Sequence, residues 1–500
     1  MPRGRGRQGA GQEEGARREG GGASMTAVIP ELPLLSLSPD ELDLLTALRT
    51  DLLSQRLKLE LLDAYFNGEQ VIRDLGISIP PQLKTLHTVI GWPRIGVEAL
   101  EQRLDLEAFR WADGSGAADL EEIAESNDLY DEASLAHLDA LTYGREYVAV
   151  GSGEGDDPPL ITFESPLDMT MMWDARLRLA TAALRESVED GLRIVTLYLP
   201  DQTVYAAEVD GGWQVFDRDE HRLGMVPVLR MANRQRTADR VGKSEITPEV
   251  MSITDAACRR LMGIEVAAEF FGAPQRYILG ASESAFQDAE GNAKSAWETY
   301  IGRVLALERD EDGNVPTVGA FTAHDPSGQT KIIDLYARIM ATQLGLPPHM
   351  LGYTSDNPAS ADAIRSSEAM LVKKAERRIR RFSATHRDAM RLALWFRDGE
   401  PPPKERRIEC VWRNPATPTI AAQTDAAVKM VQAGILPADG DVVLEMAGLS
   451  EDQRRRVAAE RRRSASSAAS RQLMERLASL GGGDEPPSVA EVTGGDDGLG

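Results

Sequence analysis

Cysteine is nearly absent. The 500 residues hold two, Cys258 and Cys410, far apart and at no ligand spacing. That argues against a disulfide framework and a structural zinc, and it suits a reducing compartment. Histidine is scarce as well: His87, His137, His221, His324, His349 and His386 are scattered, and none pairs with another at metal spacing. The H-E-x-x-H, C-x-x-C, G-x-S-x-G and S-x-x-K patterns are missing, so no activated nucleophile or metal centre is visible. No apolar run approaches the roughly 18 residues of a membrane span. The opening "MPRGRGRQGAGQEEGARREGGGAS" lacks the apolar core of a secretory signal, and Met25 offers an alternative start to Met1. These absences lead us to expect no catalytic residue, no metal, no cofactor and no membrane partner, in a cytosolic product.

Acid is abundant. Asp and Glu number 79 against 56 Lys and Arg, a formal charge of −23. Such an excess disfavours tight, sequence-independent gripping of nucleic acid, which needs clustered cations against phosphates. It does not exclude a protein that merely lets DNA pass, since an acidic wall would repel phosphate and resist sticking. A hydrophobic share of 42% and a charged share of 27% describe a globular chain long enough for several cores.

One stretch imitates a nucleotide site. "TADRVGKSEIT" ends the way a phosphate-gripping P-loop ends, but the required first glycine is replaced by Thr237. The following helix is expected to start at Thr247 as N-cap with Pro248 in its first turn, which leaves Lys243 outside the helix N-terminus where an anion would sit. A surface turn is the expected reading. "FDRDEHRLG" gathers Asp217, Asp219, Glu220 and His221, and a solvated turn explains it better than a cation site. "RDEDGN", Arg309 to Asn314, lacks the closing Glu of a calcium loop and reads as a hairpin turn around Asp312-Gly313.

Residues 1–24 and 481–500 are Gly-rich, charged tails expected to be disordered. Between them the pattern is α+β. "SPDELDLLTALRTDLLSQRLKLELLDAYFNGEQ" predicts a long helix capped by Ser38 or Asp40, with Leu42, Leu45, Leu48, Leu52 and Leu59 on its apolar face. It should stop at Asn67-Gly68. A helical pair is expected over about Ala118 to Leu141. "REYVAVGSGEGDDPPLITFESP" reads as strand, Gly-rich turn, strand. "LRIVTLYLP", "TVYAAEV" and "WQVFDR" complete an antiparallel β region from about 144 to 231. A helix is expected over 247–272 with Val250, Ile253, Ala257, Leu261, Ile264, Ala268 and Phe271 on one face. A hairpin "VLALERDEDGNVPTVGAF" follows, then a helix "GQTKIIDLYARIMATQLG". A fifteen-residue loop, 346–360, leads to a long polar helix from Pro358, capped by Asn357, to about Trp395. "RRIECVWR" reads as a lone strand, and helices fill 419–480. The loop exceeds the usual two to eight residues between helices, and long loops are often functional.

At this loop the chain resembles the portal proteins of tailed phages. "LGLPPHMLGYTSDNPASADAIRSSEAMLVKKAERRIRRF" is similar to the portal segment in which a Gly-x-Pro-Pro-x-x-Leu-Gly turn precedes a Ser-rich loop and a long helix. "LLDAYFNGEQ", "HLDALTYGREYVAV", "GMVPVLRMANR" with "GKSEIT", "DAACRRLM", "AAEFFGAPQRYILG" and "VWRNPATPT" agree in the same order over about residues 40–460. The resemblance implies a portal fold: a mixed α/β wing over 25–246, stem helices at 247–272 and 328–345, and a clip at 273–327. It also implies a tunnel loop at 346–360, a long channel-side helix and return strand over 359–418, and an α-helical crown at 419–480. It implies a homo-oligomeric ring, commonly dodecameric, at one capsid vertex of the virion, assembled in the host cytoplasm. Double-stranded DNA would pass weakly and non-specifically along Gly352, Tyr353, Thr354, Ser355, Asp356, Asn357, Pro358 and Ser360. The implied partners are the terminase motor, the major capsid and scaffolding proteins and a head-completion adaptor. The resemblance also implies that the packaging ATPase is a separate protein and that this chain hydrolyses nothing. The basic stretch Lys373 to Arg381 would neutralise acids across a subunit interface or line the channel. Two other readings are a P-loop packaging ATPase of the terminase kind and a capsid or scaffold-type protein without a channel.

Overall fold

A computed structural model describes residues 35–71, 88–153, 155, 157–234, 236–271, 276–280, 315, 317–320, 325–352, 361–416 and 418–480. The chain divides into two compact units, residues 1–53 with 168–227, and residues 54–167 with 228–500. Helix α1 (Pro39–Asn67) runs through the first boundary. Its N-terminus is a reciprocal capping box: Ser38 N–H donates to the Glu41 carboxylate at 2.9 Å, and Glu41 N–H donates to Ser38 Oγ at 3.3 Å. Gly68, at φ +76°, ends it as expected.

The first unit is a six-stranded antiparallel sheet in the order β1-β9-β8-β7-β6-β5, with strands Leu35–Ser36, Gly212–Asp219, Thr203–Val209, Leu192–Tyr198, Leu179–Glu189 and Met169–Asp174. Asp190-Gly191 and Asp210-Gly211 form two-residue hairpin turns with both φ values positive, the chemistry that a right-twisted hairpin demands. Leu45 and Leu48 of α1 pack on Ala182, Leu184, Val195, Leu197, Val204, Ala206 and Val215. Arg218 donates to both Glu41 oxygens at 2.6 and 2.9 Å, and these bonds hold the carboxyl down at about 2.

The second unit is built around the long helix α7 (Ala361–Asp398). Against it lie the three-stranded sheet β10-β3-β4 (Val228–Ala232, Arg145–Gly151, Leu160–Glu164) and the pair β13-β2 (Ile408–Trp412, Leu106–Trp111). Helices α2 (Trp92–Glu101), α3 (Ala118–Ser126) and α4 (Leu129–Tyr143) complete this core, in which Phe109, Trp111, Leu141 and Phe382 are buried. Helix α5 (Pro248–Phe271) packs on α6 (Ser327–Leu344), and β11 (Arg276–Leu279) pairs with β12 (Thr317–Ala320). The C-terminal helices are α8 (Ile420–Gln432), α9 (Asp441–Met446) and α10 (Glu451–Leu480).

Several expectations need correction. The β region at 144–231 is two sheets in two different units. "RRIECVWR" is not a lone strand, because Ile408 to Trp412 pair with β2 from Trp111 to Leu106. Leu42 faces solvent at 44% exposure, while Leu45, Leu48, Leu52 and Leu59 are buried as expected. On α5, Val250 and Ala257 are buried but Ala268 is exposed, so the expected apolar face is covered only in its first turns. His137 and His386, 249 residues apart, meet inside the second unit in a contact that their separation along the chain hides. Thr317–Ala320 belongs to the expected 304–321 hairpin but pairs with β11, while 301–314, which include the Asp312-Gly313 turn, lie outside the described residues.

Candidate functional site

Of the residues singled out in the loop, only Gly352 is described. Pro348–Leu351 form a single 3-10 turn, with Leu351 buried. Gly352 closes that turn at φ +83°, and its N–H donates to the His349 carbonyl at 3.2 Å. Tyr353, Thr354, Ser355, Asp356, Asn357, Pro358 and Ser360 lie outside the described residues, as does the helix start proposed at Asn357-Pro358.

The anchors of the loop are well defined. Helix α6 ends in a Schellman motif. Leu346 N–H reaches Ala341 O at 2.8 Å, Gly345 N–H reaches Thr342 O at 3.3 Å, and Gly345 adopts φ +69°. Leu344 is seated tightly, since a Cβ on Gly96 would stand 2.6 Å from its Cδ2. The Leu344 carbonyl, left without an intrahelical partner, accepts from Lys374 Nζ of α7 at 2.6 Å. A cation at a helix C-terminus is also favoured by the helix dipole.

Lys374 holds a second group. Its Nζ donates to Glu245 Oε2 at 3.3 Å, while Arg378, one turn further along α7, donates to Glu245 Oε1 at 2.6 Å. Asn233 Nδ2 donates to the same carboxylate at 3.1 Å, and Arg234 stands 3.9 Å away. The Glu245 side chain is 3% exposed. Burial pushes its carboxyl up, but Lys374, Arg378 and Arg234 outweigh burial and hold it at about 2. Lys374 behaves differently. Burial holds its amine below the ordinary range despite Glu245, and repulsion from Arg378 and Arg234 adds a smaller push the same way. The carboxylate is thus the group that every cation shares. Glu245 thereby joins the approach to α5, the end of α6 and the first half of α7.

This node explains the P-loop-like segment. Ser244 Oγ donates to Thr142 O at 2.5 Å and accepts from Ile246 N–H at 2.8 Å, so it faces the protein backbone. Gly242 is required by contact: at φ +112°, a Cβ there would lie 2.0 Å from Gly144 O. Lys243 is half exposed and stands 3.9 Å from Asp239. "GKSEIT" is the buttress that carries Glu245 inward.

The basic stretch resolves in part. Lys374 and Arg378 neutralise an acid of their own chain, Lys373 pairs with Glu376 at 2.6 Å, and Arg377 and Arg380 are exposed. Nothing in the local sequence announced the Glu245 node. Only the i, i+4 spacing of Lys374 and Arg378 hinted that both point to one side of α7.

Behind α7 sits the histidine pair. His137 Nε2 and His386 Nε2 are 2.9 Å apart, both rings fully buried, with His137 stacked between Phe382 and Trp412. Burial pushes His386 down to about 3 and His137 well below its usual value. Two neutral imidazoles share this one bond, one ring nitrogen donating and the other accepting. Among the described residues no group of three or more His, Cys, Asp or Glu is placed to hold a metal ion, and no helix is long and apolar enough to cross a membrane.

Comparison with known proteins places this geometry. A chain from the virion of a native gene transfer agent particle overlays at TM-score 0.45 with 15% identity, over 79% of this chain and 93% of that one, a likeness too distant to argue from. The portal protein of Mycobacterium phage D29 is 36% identical over 390 residues, covering 75% of this chain and 80% of its own. The portal protein of Mycobacterium phage L5 is 34% identical over 390 residues, covering 75% and 79%. The family model described as phage portal protein, SPP1 Gp6-like, matches residues 47–465. The chain therefore belongs to the phage portal proteins of the SPP1 Gp6-like family.

Proposed function

We propose that twelve or a similar number of copies close into a ring at one capsid vertex. Double-stranded DNA passes through the central channel into the capsid during packaging and out of it at ejection. The observation that carries this reading is the match to portal proteins over three quarters of the chain. On it, α5 and α6 are the stem, the 273–327 segment is the clip that meets the terminase motor and later the head-completion adaptor, and α8 to α10 are the crown. The remaining elements before α5 form the wing, which the capsid and scaffolding proteins surround. The segment 352–360 is the tunnel loop. The chain works as a conduit and carries out no reaction of its own.

The channel wall is electronegative on this reading. A closed ring repeats every charge around one lumen, and a chain of −23 gives it an excess of acid. DNA then slides with weak contacts at Thr354, Ser355, Asp356 and Asn357. Supporting it, the loop's approach is stiffened by Pro347-Pro348, and its flanking helices are tied together by Lys374 and Glu245. The test is packaging with variants of the loop tip. Replacing Thr354, Ser355 and Asp356 by Gly should reduce packaged DNA while rings still assemble. Unchanged packaging would remove the loop from the DNA path, and a strongly basic lumen in a ring structure would contradict the sliding account.

A further inference from the structure

Two exposed helix faces of the second unit complement each other but do not meet within one chain. The first is on α1, where Leu57 and Leu61 are 82% and 47% exposed. Leu61 also lines a cleft of about 760 Å³ with Tyr65, Gln70, Asp255 and Arg259. Gln70 is 7% exposed, and neither its amide nitrogen nor its amide oxygen has a hydrogen-bond partner. The second face is on α6, where Leu335 and Ile339 are 50% and 38% exposed, with exposed Lys331 and Arg338 on the same side. Glu60 and Asp255 lie at the first face beside Arg56 and Arg259, and Asp334 lies between Lys331 and Arg338 at the second, so both faces carry mixed charge around their leucines.

Helix register sets the heights. Helices α5 and α6 pack antiparallel, with Gly263 beside Gln329: a Cβ at Gly263 would lie 3.6 Å from Gln329 Oε1. These two residues stand equally far from the start of α5 and the end of α6, about 22 Å at 1.5 Å per residue. The two ends are therefore level, and the reach of Lys374 to both Leu344 O and Glu245 agrees. Asp255 then lies about 10 Å below that level, and Leu335 and Ile339 lie roughly 8–14 Å below it. A rotation about an axis parallel to these helices preserves height. It brings the cleft of one copy to the level of the Leu335 face of the next.

We propose that the α1 face and its cleft receive the Leu335–Ile339 face of α6 from the neighbouring copy, and that this heterologous contact closes the ring. The inference rests on the portal reading, because only a closed ring satisfies every copy of both faces. Arg338 of the incoming helix is level with Asp255.

Disulfide trapping in the full chain tests this. A Leu61→Cys/Leu335→Cys double variant, oxidised after assembly, should give a ladder of covalent oligomers on denaturing gels. An equimolar mixture of the two single variants should stop at dimers, and the wild type, with Cys258 buried and the Cys410 thiol turned to the Ser383 carbonyl, should give no ladder. Leu57→Asp and Leu335→Asp, both at exposed positions, should each lose ring assembly while keeping the wild-type melting temperature of the subunit. Wild-type rings in the electron microscope with no ladder from the double variant, or unimpaired assembly of both Asp variants, would overturn the interface and leave the ring reading standing. A wild type that forms no ring would overturn both.

Discussion

Glu245→Gln should destabilise the second unit by about 3 kcal/mol at neutral pH. The estimate follows from linkage. The carboxyl lies at about 2 in the fold against 4.5 for a free glutamate, and each unit is worth about 1.4 kcal/mol. A second route agrees. Removing one member of a buried ion cluster costs roughly 3–5 kcal/mol, because the cations left behind have lost their counter-charge. The sign of the pH dependence is set by the lowered value. The contribution is complete above about 4.5, fades as pH falls, and is gone below about 2. Urea denaturation of wild type and variant, followed by near-ultraviolet circular dichroism, measures the difference directly. It should be about 3 kcal/mol at pH 7 and shrink steadily between pH 4.5 and the lowest pH at which both proteins fold. A difference under about 1 kcal/mol at pH 7, or one that does not change with pH, would refute the account of Glu245 as the shared counter-ion of Lys374 and Arg378.

Other outcomes follow from the same geometry. Lys243→Ala should leave stability within about 0.5 kcal/mol and leave ring assembly unchanged, since its side chain is half exposed and its one acidic neighbour is 3.9 Å away; impaired assembly would show a role the turn does not reveal. Gly345→Ala should cost roughly 1–2 kcal/mol, read as a lowered melting temperature, because φ +69° disfavours a Cβ and Met370 Sδ would lie 3.2 Å from it. Gly242→Ala should cost clearly more, because its Cβ would meet backbone rather than a pliable side chain. The buried histidines, whose folded values lie below 6.5, lose stability as pH falls from 6.5 toward about 3. For His386 stability should drop by about 2 kcal/mol between pH 7 and pH 5, His137 adds a loss of the same sign, and a His137→Phe/His386→Leu variant should flatten that slope.

Local chemistry was legible in the sequence, and distant pairing was not. Ser38 and Glu41 stand three apart before an apolar run, so the start of α1 could be read as a cap. Asp210-Gly211 between two alternating runs announced its hairpin, and Thr247-Pro248 placed the start of α5. Strand β6 was missed because "LATAALRE" is rich in helix-forming residues, and only its pairing with β5 and β7 makes it a strand. Strand β13 looked solitary because its partner β2 lies about 300 residues earlier. The Glu245 node was invisible for the same reason: Glu245 and Arg378 are 133 residues apart, and one acid beside a Lys-Ser pair carries no local sign of burial. Leu57 and Leu61 were passed over among the many leucines of α1, and their exposure is a property of the fold.

The central claim is a ring around a channel. Electron microscopy of the purified full-length protein, with the particle mass taken by light scattering, addresses it most directly. The account predicts closed rings of one subunit number with a central hole, and no ATP turnover. Particles that remain monomeric and hydrolyse ATP in a manner abolished by Lys243→Ala would contradict it.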